Sequence, residues 1–214
     1  MKSVKQIIAI LFISLLSSQA YSQISVGGQV SYLNVFGGTG LKSFGFGVKG
    51  DYALDDETVL SLGGNYYLPS TYSEFTYATA YSNFTTPSQV EVDVEYKVSF
   101  IHVYFGGRRY FVGDYEDDFG IYGLAEVGLL MAPVTTTLGE YDESQYYTTV
   151  QDGAKETLVN FTLNIGAGVE KELDFGYIFG DLKLNLPANQ ANGEYVPVEI
   201  PTSVSVNAGV RFPF

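Results

Sequence analysis

What most constrains this chain is an alternation of apolar and polar residues at period two, repeated along its length and purest near its end. Residues 203–214 read SVSVNAGVRFPF. Val204, Val206, Ala208, Val210, Phe212 and Phe214 are apolar on every second position, with Ser203, Ser205, Asn207, Gly209 and Arg211 between them. Successive side chains of a strand point to opposite faces, so this segment has one apolar and one polar face. The same pattern marks residues 24–36, 44–54, 60–68, 90–111, 119–138, 159–170 and 177–186. Each is about 9–11 residues or longer, the length a tilted strand needs to cross hydrocarbon. The expectation is therefore all-β, with eight strands.

The connections give the order. Short acidic turns fall at 55–57, 113–118 and 172–174, and long polar connections at 69–89, 139–155 and 187–201, with a shorter one at 37–43. Short and long alternate strictly, as in an antiparallel up-and-down barrel with both termini on one side. With 18 Tyr, 15 Phe and 24 Gly, the composition suits strands in close backbone contact. A formal net charge of −13 leaves no basic footprint for nucleic acid. The absence of Cys excludes a disulfide framework, a thiolate metal site and a lipid anchor on Cys.

The N-terminus reads as an export signal. Lys2 and Lys5 precede an apolar run at 7–16 and a small, mostly polar stretch at 17–22. Ala20 and Ser22 stand at the −3 and −1 positions for cleavage before Gln23, with a cut after Ala20 as the alternative. The expected domains are a signal peptide at 1–22 and one barrel domain at 23–214. The apolar run is well short of the roughly 20 residues of a spanning helix. No later stretch could span as a helix either, so a membrane form must be a closed barrel.

A chain that stops on Phe214, with apolar residues two, four, six and eight positions earlier, resembles the C-terminal sorting signal of Gram-negative outer-membrane β-barrels. Over residues 23–214 the chain is similar to the small OmpA/OmpX-type barrels, often called porin family. The resemblance implies an eight-stranded barrel in outer-membrane lipid. It also implies recognition by the barrel-assembly machinery through the last strand, with Val206, Val210, Phe212 and Phe214 as the signal. A soluble lipocalin-type barrel could show the same alternation. The terminal Phe, the short and long connections, and the absence of the Trp that most lipocalins carry near their start favour the membrane form.

The charged residues of the polar face are Lys49, Asp51, Glu126, Glu170, Asp181, Lys183 and Arg211, joined by Arg108. An eight-stranded barrel is just wide enough for side chains to fill it. Unpaired charges there are prohibitive, so these residues are expected to form a hydrogen-bonded plug rather than line a channel. In residues 90–100 the even positions are apolar, and continuing that parity outward would put His102 and Arg108 in lipid. A bulge near 100–101 is the expected remedy. His102, the single histidine, and Ser99 fall on opposite faces unless a bulge intervenes, which leaves no catalytic pair. Acidic stretches at 114–118, 55–57 and 140–143 lack the spacing of a calcium loop and read as solvated turns. No cofactor is expected.

The long connections carry the candidate recognition surface. Tyr72, Phe75, Tyr77 and Tyr81 lie at 69–89, and Tyr141, Tyr146 and Tyr147 at 139–155, among Ser, Thr and Asn. Aromatic anchors among small hydroxyl residues make contact at low entropic cost. Residues 90–99, with the far end of the fifth strand, should project beyond the outer leaflet and expose edges to an extended partner. The expected function is non-enzymatic: adhesion, binding of an extracellular or envelope protein, or envelope integrity, through the loops of a plugged barrel. A narrow channel for small solutes is the first alternative. The second is an accessory barrel of a secretion or assembly complex, docking through its acidic periplasmic turns.

Overall fold

The computed structural model describes residues 24–37, 40–189 and 201–214. The expected cleavage site at Ala20 and Ser22 lies outside them, as does most of the 187–201 connection. Eight long strands form: β1 (Ile24–Val35), β2 (Lys42–Ala53), β3 (Thr58–Ala80), β4 (Gln89–Val112), β5 (Phe119–Leu138), β7 (Lys155–Leu173), β8 (Gly176–Pro187) and β9 (Ser203–Pro213). A two-residue β6 (Tyr146–Tyr147) pairs with the tip of β3. Every long strand is antiparallel to its neighbours, and β1 pairs with both β2 and β9, which closes the ring. The expected eight-stranded up-and-down order is the one observed.

Closure turns the period-two pattern into an inside and an outside. Charges go in: Arg211 and Glu170 are 0% and 1% exposed, while outward Phe44 and Val48 are 69% and 66% exposed. A water-borne barrel would have the opposite arrangement. The outward belt continues through Val30, Leu62, Phe105, Val127 and Phe161. Aromatic pairs edge it on one side, Tyr32 with Phe44 at 5.0 Å and Phe46 with Tyr66 at 5.6 Å, and Phe175 with Phe212 at 6.5 Å on the other. An apolar band between aromatic girdles is the exterior that lipid requires.

The strands differ in height. β1, β2, β8 and β9 have 11 or 12 residues, enough to span, whereas β3, β4, β5 and β7 have 19 to 24. The four long strands rise past the loop-side rim as one curved sheet. Residues 69–80, expected as loop, are therefore strand. β3 passes Pro69 through a register shift between Tyr67 and Ser70. In the pairings, β2 reaches β3 only as far as Tyr67, so Pro69 sits at a bulge on an edge, where its missing N–H costs no ladder bond.

The bulge expected at 100–101 of β4 is absent. The β4–β5 ladder keeps one register from Val94 opposite Leu138 to Tyr110 opposite Tyr122, and shifts only between Tyr110 and Val112. Val92, Val94, Tyr96, Val98, Phe100, His102, Tyr104, Arg108 and Tyr110 all face inward and are buried. The projection of 90–99 beyond the membrane is as expected; the expectation erred by turning the apolar positions of 90–100 outward. That stretch stands above the belt, where water lies outside, so its apolar residues turn in. The solvents change sides while the backbone keeps its register.

Candidate functional site

Three regions were candidates: the lumen, the interior above it, and the outer face of the projecting sheet. In the lower lumen, Glu170 of β7 is the hub. Arg211 donates to it at 2.6 and 3.1 Å, Arg108 at 3.4 Å and the Tyr110 hydroxyl at 2.7 Å. Arg108 also pairs with Asp51 at 3.0 Å, and Ser61 donates to Asp51 at 2.7 Å. Higher up, Lys183 pairs with Glu126 at 2.8 Å and Asn207 donates to Asp181 at 2.6 Å. Lys49 lies 3.4 Å from the centre of the Phe179 ring. All eight residues expected inside are inside and buried. Seven of the eight meet an opposite charge or a hydrogen-bond donor, as charges away from water require, and Lys49 meets the face of a ring.

Aromatic side chains fill the remaining space. The Tyr104 ring lies on Gly63 and the Tyr122 ring on Gly168, so close that a Cβ on either glycine would stand 2.5 Å from the ring. At the base, the β4–β5 turn folds inward. The Tyr115 hydroxyl donates to Ser25 at 2.7 Å, and Arg211 donates to the Tyr115 carbonyl while sitting 3.7 Å over the Tyr177 ring. The cavity among Lys49, Tyr104, Arg108, Tyr122, Glu126, Asp181 and Lys183 measures about 10 Å³, the room of one water at most. The signal for the tyrosines was their place at inward parity among small and polar residues.

Above this network the interior turns apolar. Leu33, Val35, Leu41, Tyr67, Val94, Tyr96, Val98, Phe100, Leu130, Ala132, Val134 and Leu158 form one buried cluster. Tyr72, expected as a surface contact, turns into it and stacks on Tyr96 at 5.0 Å, and burial pushes its phenol pKa up. Tyr146 is likewise no surface anchor. It is buried with Ala78 and Val92, and its hydroxyl donates to the Pro87 carbonyl at 3.0 Å. Tyr141 packs partly against that cluster. Phe75, Tyr77, Tyr81 and Tyr147 do face outward and are exposed. The bulge at 67–70 sorts these rings, because it moves the inward parity of β3 from odd to even positions.

His102 faces the lumen, 3.3 Å from both Thr162 and Asn164, whereas Ser99 occupies the outward parity of the same strand. The turns at 55–57 and 140–143 close on themselves. Asp55 accepts from the Thr58 and Glu57 amides at 2.7 and 3.0 Å, and Asp142 from the Ser144 amide at 3.0 Å. On β9, Val206 and Phe212 are exposed on the lipid side, Val210 is half-buried, and the Phe214 amide donates to the Ile24 carbonyl at 2.9 Å.

No protein-family model and no characterised protein matches the chain by sequence. Solved structures match it by shape. Surface protein A of Neisseria superposes over 92% of this chain and 100% of its own, with a TM-score of 0.55 and 16% identity. Ail, the attachment invasion locus protein of Yersinia pestis, crystallised with the heparin analogue sucrose octasulfate, covers 88% of this chain and 96% of its own, with a TM-score of 0.41 and 16% identity. The N-terminal β-barrel domain of Pseudomonas aeruginosa OprF covers 90% and 100%, at 0.40 and 14%. At such identities the likeness is one of fold. A ring of eight antiparallel strands, apolar outside and charged within, gives this chain the fold of the small bacterial outer-membrane β-barrels.

Proposed function

We propose that the protein is a non-enzymatic outer-membrane surface barrel that binds an extracellular partner through its projecting sheet, while its lumen serves as a plug. The observation that carries this reading is the sheet. Four strands continue about twice as far as spanning requires, and they do so with an apolar core of their own. That core offsets the entropy of ordering the extra residues, about 1–2 kcal/mol each. It leaves a stiff surface outside the membrane that loses little freedom on binding. The filled lumen supports the other half of the reading, since a conducting pore needs a continuous wet path. We take β9 as the strand that the assembly machinery handles, with Val206, Val210, Phe212 and Phe214 as its contacts.

The test has two arms. The refolded barrel in a planar bilayer is expected to show no discrete conductance steps; steps that change with Lys183→Ala would establish a pore instead. Replacing residues 73–95 by a two-residue Asn-Gly turn between the paired Tyr72 and Tyr96 should abolish binding to cells or matrix and leave a heat-modifiable barrel. Binding that survives this replacement would overturn the assignment to the sheet.

A further inference from the structure

The outer face of the projecting sheet combines two features that point to one kind of partner. The first is a row of aromatic rings turned towards water. Phe75 and Tyr77, successive outward residues of β3, are 60% and 51% exposed and meet edge-to-face at 5.7 Å. Tyr81 and Tyr147 continue the row, 5.1 Å apart. The opposite side of the same sheet is an apolar core, so folding does not need these rings outside. Exposed apolar surface of this kind, rimmed by polar groups, marks an interaction site.

The second feature is the ladder beside the rings. Phe75 stands opposite Asp93 on β4, Tyr77 opposite Glu91 and Ser73 opposite Glu95. All three carboxylates are exposed, and Glu91 accepts a bond from the Tyr77 hydroxyl at 3.3 Å. A cation over a ring, flanked by a carboxylate, is held both by the ring's quadrupole and by charge. The surroundings have the same sign. Residues 69–99 and 133–157 carry nine acidic and two basic residues, a net of 2 − 9 = −7, which attracts polycations and repels polyanions.

Spacing decides the form of the cation. Glu91, Asp93 and Glu95 are alternate residues of one strand, so their side chains repeat about every 6.6–6.8 Å along a nearly straight line. They do not converge on one point, and among the described residues no group of three potential metal ligands is present. An extended polypeptide with Lys or Arg at every second position has the matching repeat. We propose that this face binds an extended, basic segment of a partner protein, whose alternating cations lie over Phe75 and Tyr77 and pair with Glu91, Asp93 and Glu95. The proposal rests on the sheet being the binding surface, and it specifies what is bound.

The test uses the full barrel in lipid nanodiscs and two fluorescent peptides, one alternating Lys with Thr and one alternating Glu with Thr, read by anisotropy. The Lys–Thr peptide should bind and weaken as salt rises. Glu91→Gln/Asp93→Asn/Glu95→Gln should weaken it at least about tenfold, and Phe75→Ala/Tyr77→Ala by about fivefold. Asp114→Asn/Glu116→Gln/Asp117→Asn, which removes as many charges at the opposite end of the barrel, should change binding less than about twofold. Equal binding of the two peptides, or equal losses in the two triple variants, would overturn the proposal. The 73–95 replacement separates the two levels. If it abolishes cell binding while the Lys–Thr peptide fails to bind, the sheet remains the binding surface and only its basic partner falls. If cell binding persists, both fall.

Discussion

The lower and upper interiors of this barrel share the strands β4, β5 and β7 and are filled in opposite ways. Below, inward positions of β4, β5 and β7 hold Arg108, Glu126 and Glu170, and outward ones hold Phe105, Val127 and Val169. Above, the inward positions hold Val94, Phe100, Val134 and Leu158, and outward ones hold Glu91, Glu95, Lys97 and Lys155. Burial parity along β4 is the same in both halves. The difference shows that a strand's geometry fixes which residues share a face, while the solvent beyond the wall fixes which face is greasy. The change of sign, between Ser99 and Ile101 on β4 and near Leu158 on β7, therefore marks the membrane surface on the strands themselves.

The contrast can be broken from either side. The largest effect is expected for Glu170→Ala, which strands Arg108 and Arg211 without their shared carboxylate. A loss of about 3–5 kcal/mol should appear in urea refolding. Phe100→Ala should cost about 3 kcal/mol, but mainly in the projection, seen as proteolysis above the rim with the barrel still heat-modifiable. Phe105→Lys, which puts a charge in the belt, should cost about 2–3 kcal/mol. Lys97→Thr, on the outward parity of the same strand above the membrane, should shift stability by no more than about 0.5 kcal/mol. A penalty for Lys97→Thr as large as that for Phe105→Lys would erase the distinction between the two exteriors.

The smallest effect is a pH dependence in a turn. Hydrogen bonds from Thr58, its side chain first, and from the Glu57 and Thr58 amides hold the Asp55 carboxyl below its usual range. A lowered carboxylate stabilises the fold above its unfolded pKa of about 3.9 and loses that contribution as pH falls through the lower folded value. The protection factor of the Thr58 amide, its exchange relative to the intrinsic rate at the same pH, should therefore be larger at neutral pH and fall in acid. A protection factor indifferent to acid would remove the Asp55 contribution.

Strand number, antiparallel order and the lumenal charges were legible in the sequence because period two survives wherever one face meets lipid or a packed lumen. The end of β3 was not. Ser70, Thr71, Ser73 and Pro69 carry the composition of a loop, and only pairing with β4 beyond the rim holds them as strand. Tyr72 and Tyr77 stand at opposite parity, and the bulge at 67–70, marked in the sequence by Pro69 alone, decides which of them turns inward. In β4 the pattern was seen but its sense was misread, since alternation shows two faces without saying which solvent each one meets. The tyrosines of the lumen were legible by their inward parity, but what they pack on was not. A phenol suits a girdle, a lumen or a loop, and glycines on neighbouring strands, Gly63 and Gly168, decide the matter for Tyr104 and Tyr122.

The inversion itself can be read one residue at a time, because the chain has no cysteine of its own. Single cysteines placed along β4 (Gln89–Val112) in bilayer-embedded protein would be probed with a water-soluble thiol reagent and with a lipid-soluble quencher. Positions 91, 93, 95 and 97 should react from water and escape the quencher, positions 101, 103 and 105 should do the reverse, and the even positions from 92 to 110 should be shielded from both. A parity that switches at 100–101, with even positions beyond it reached from lipid, would contradict the unbroken register and the placement of the membrane surface that follows from it.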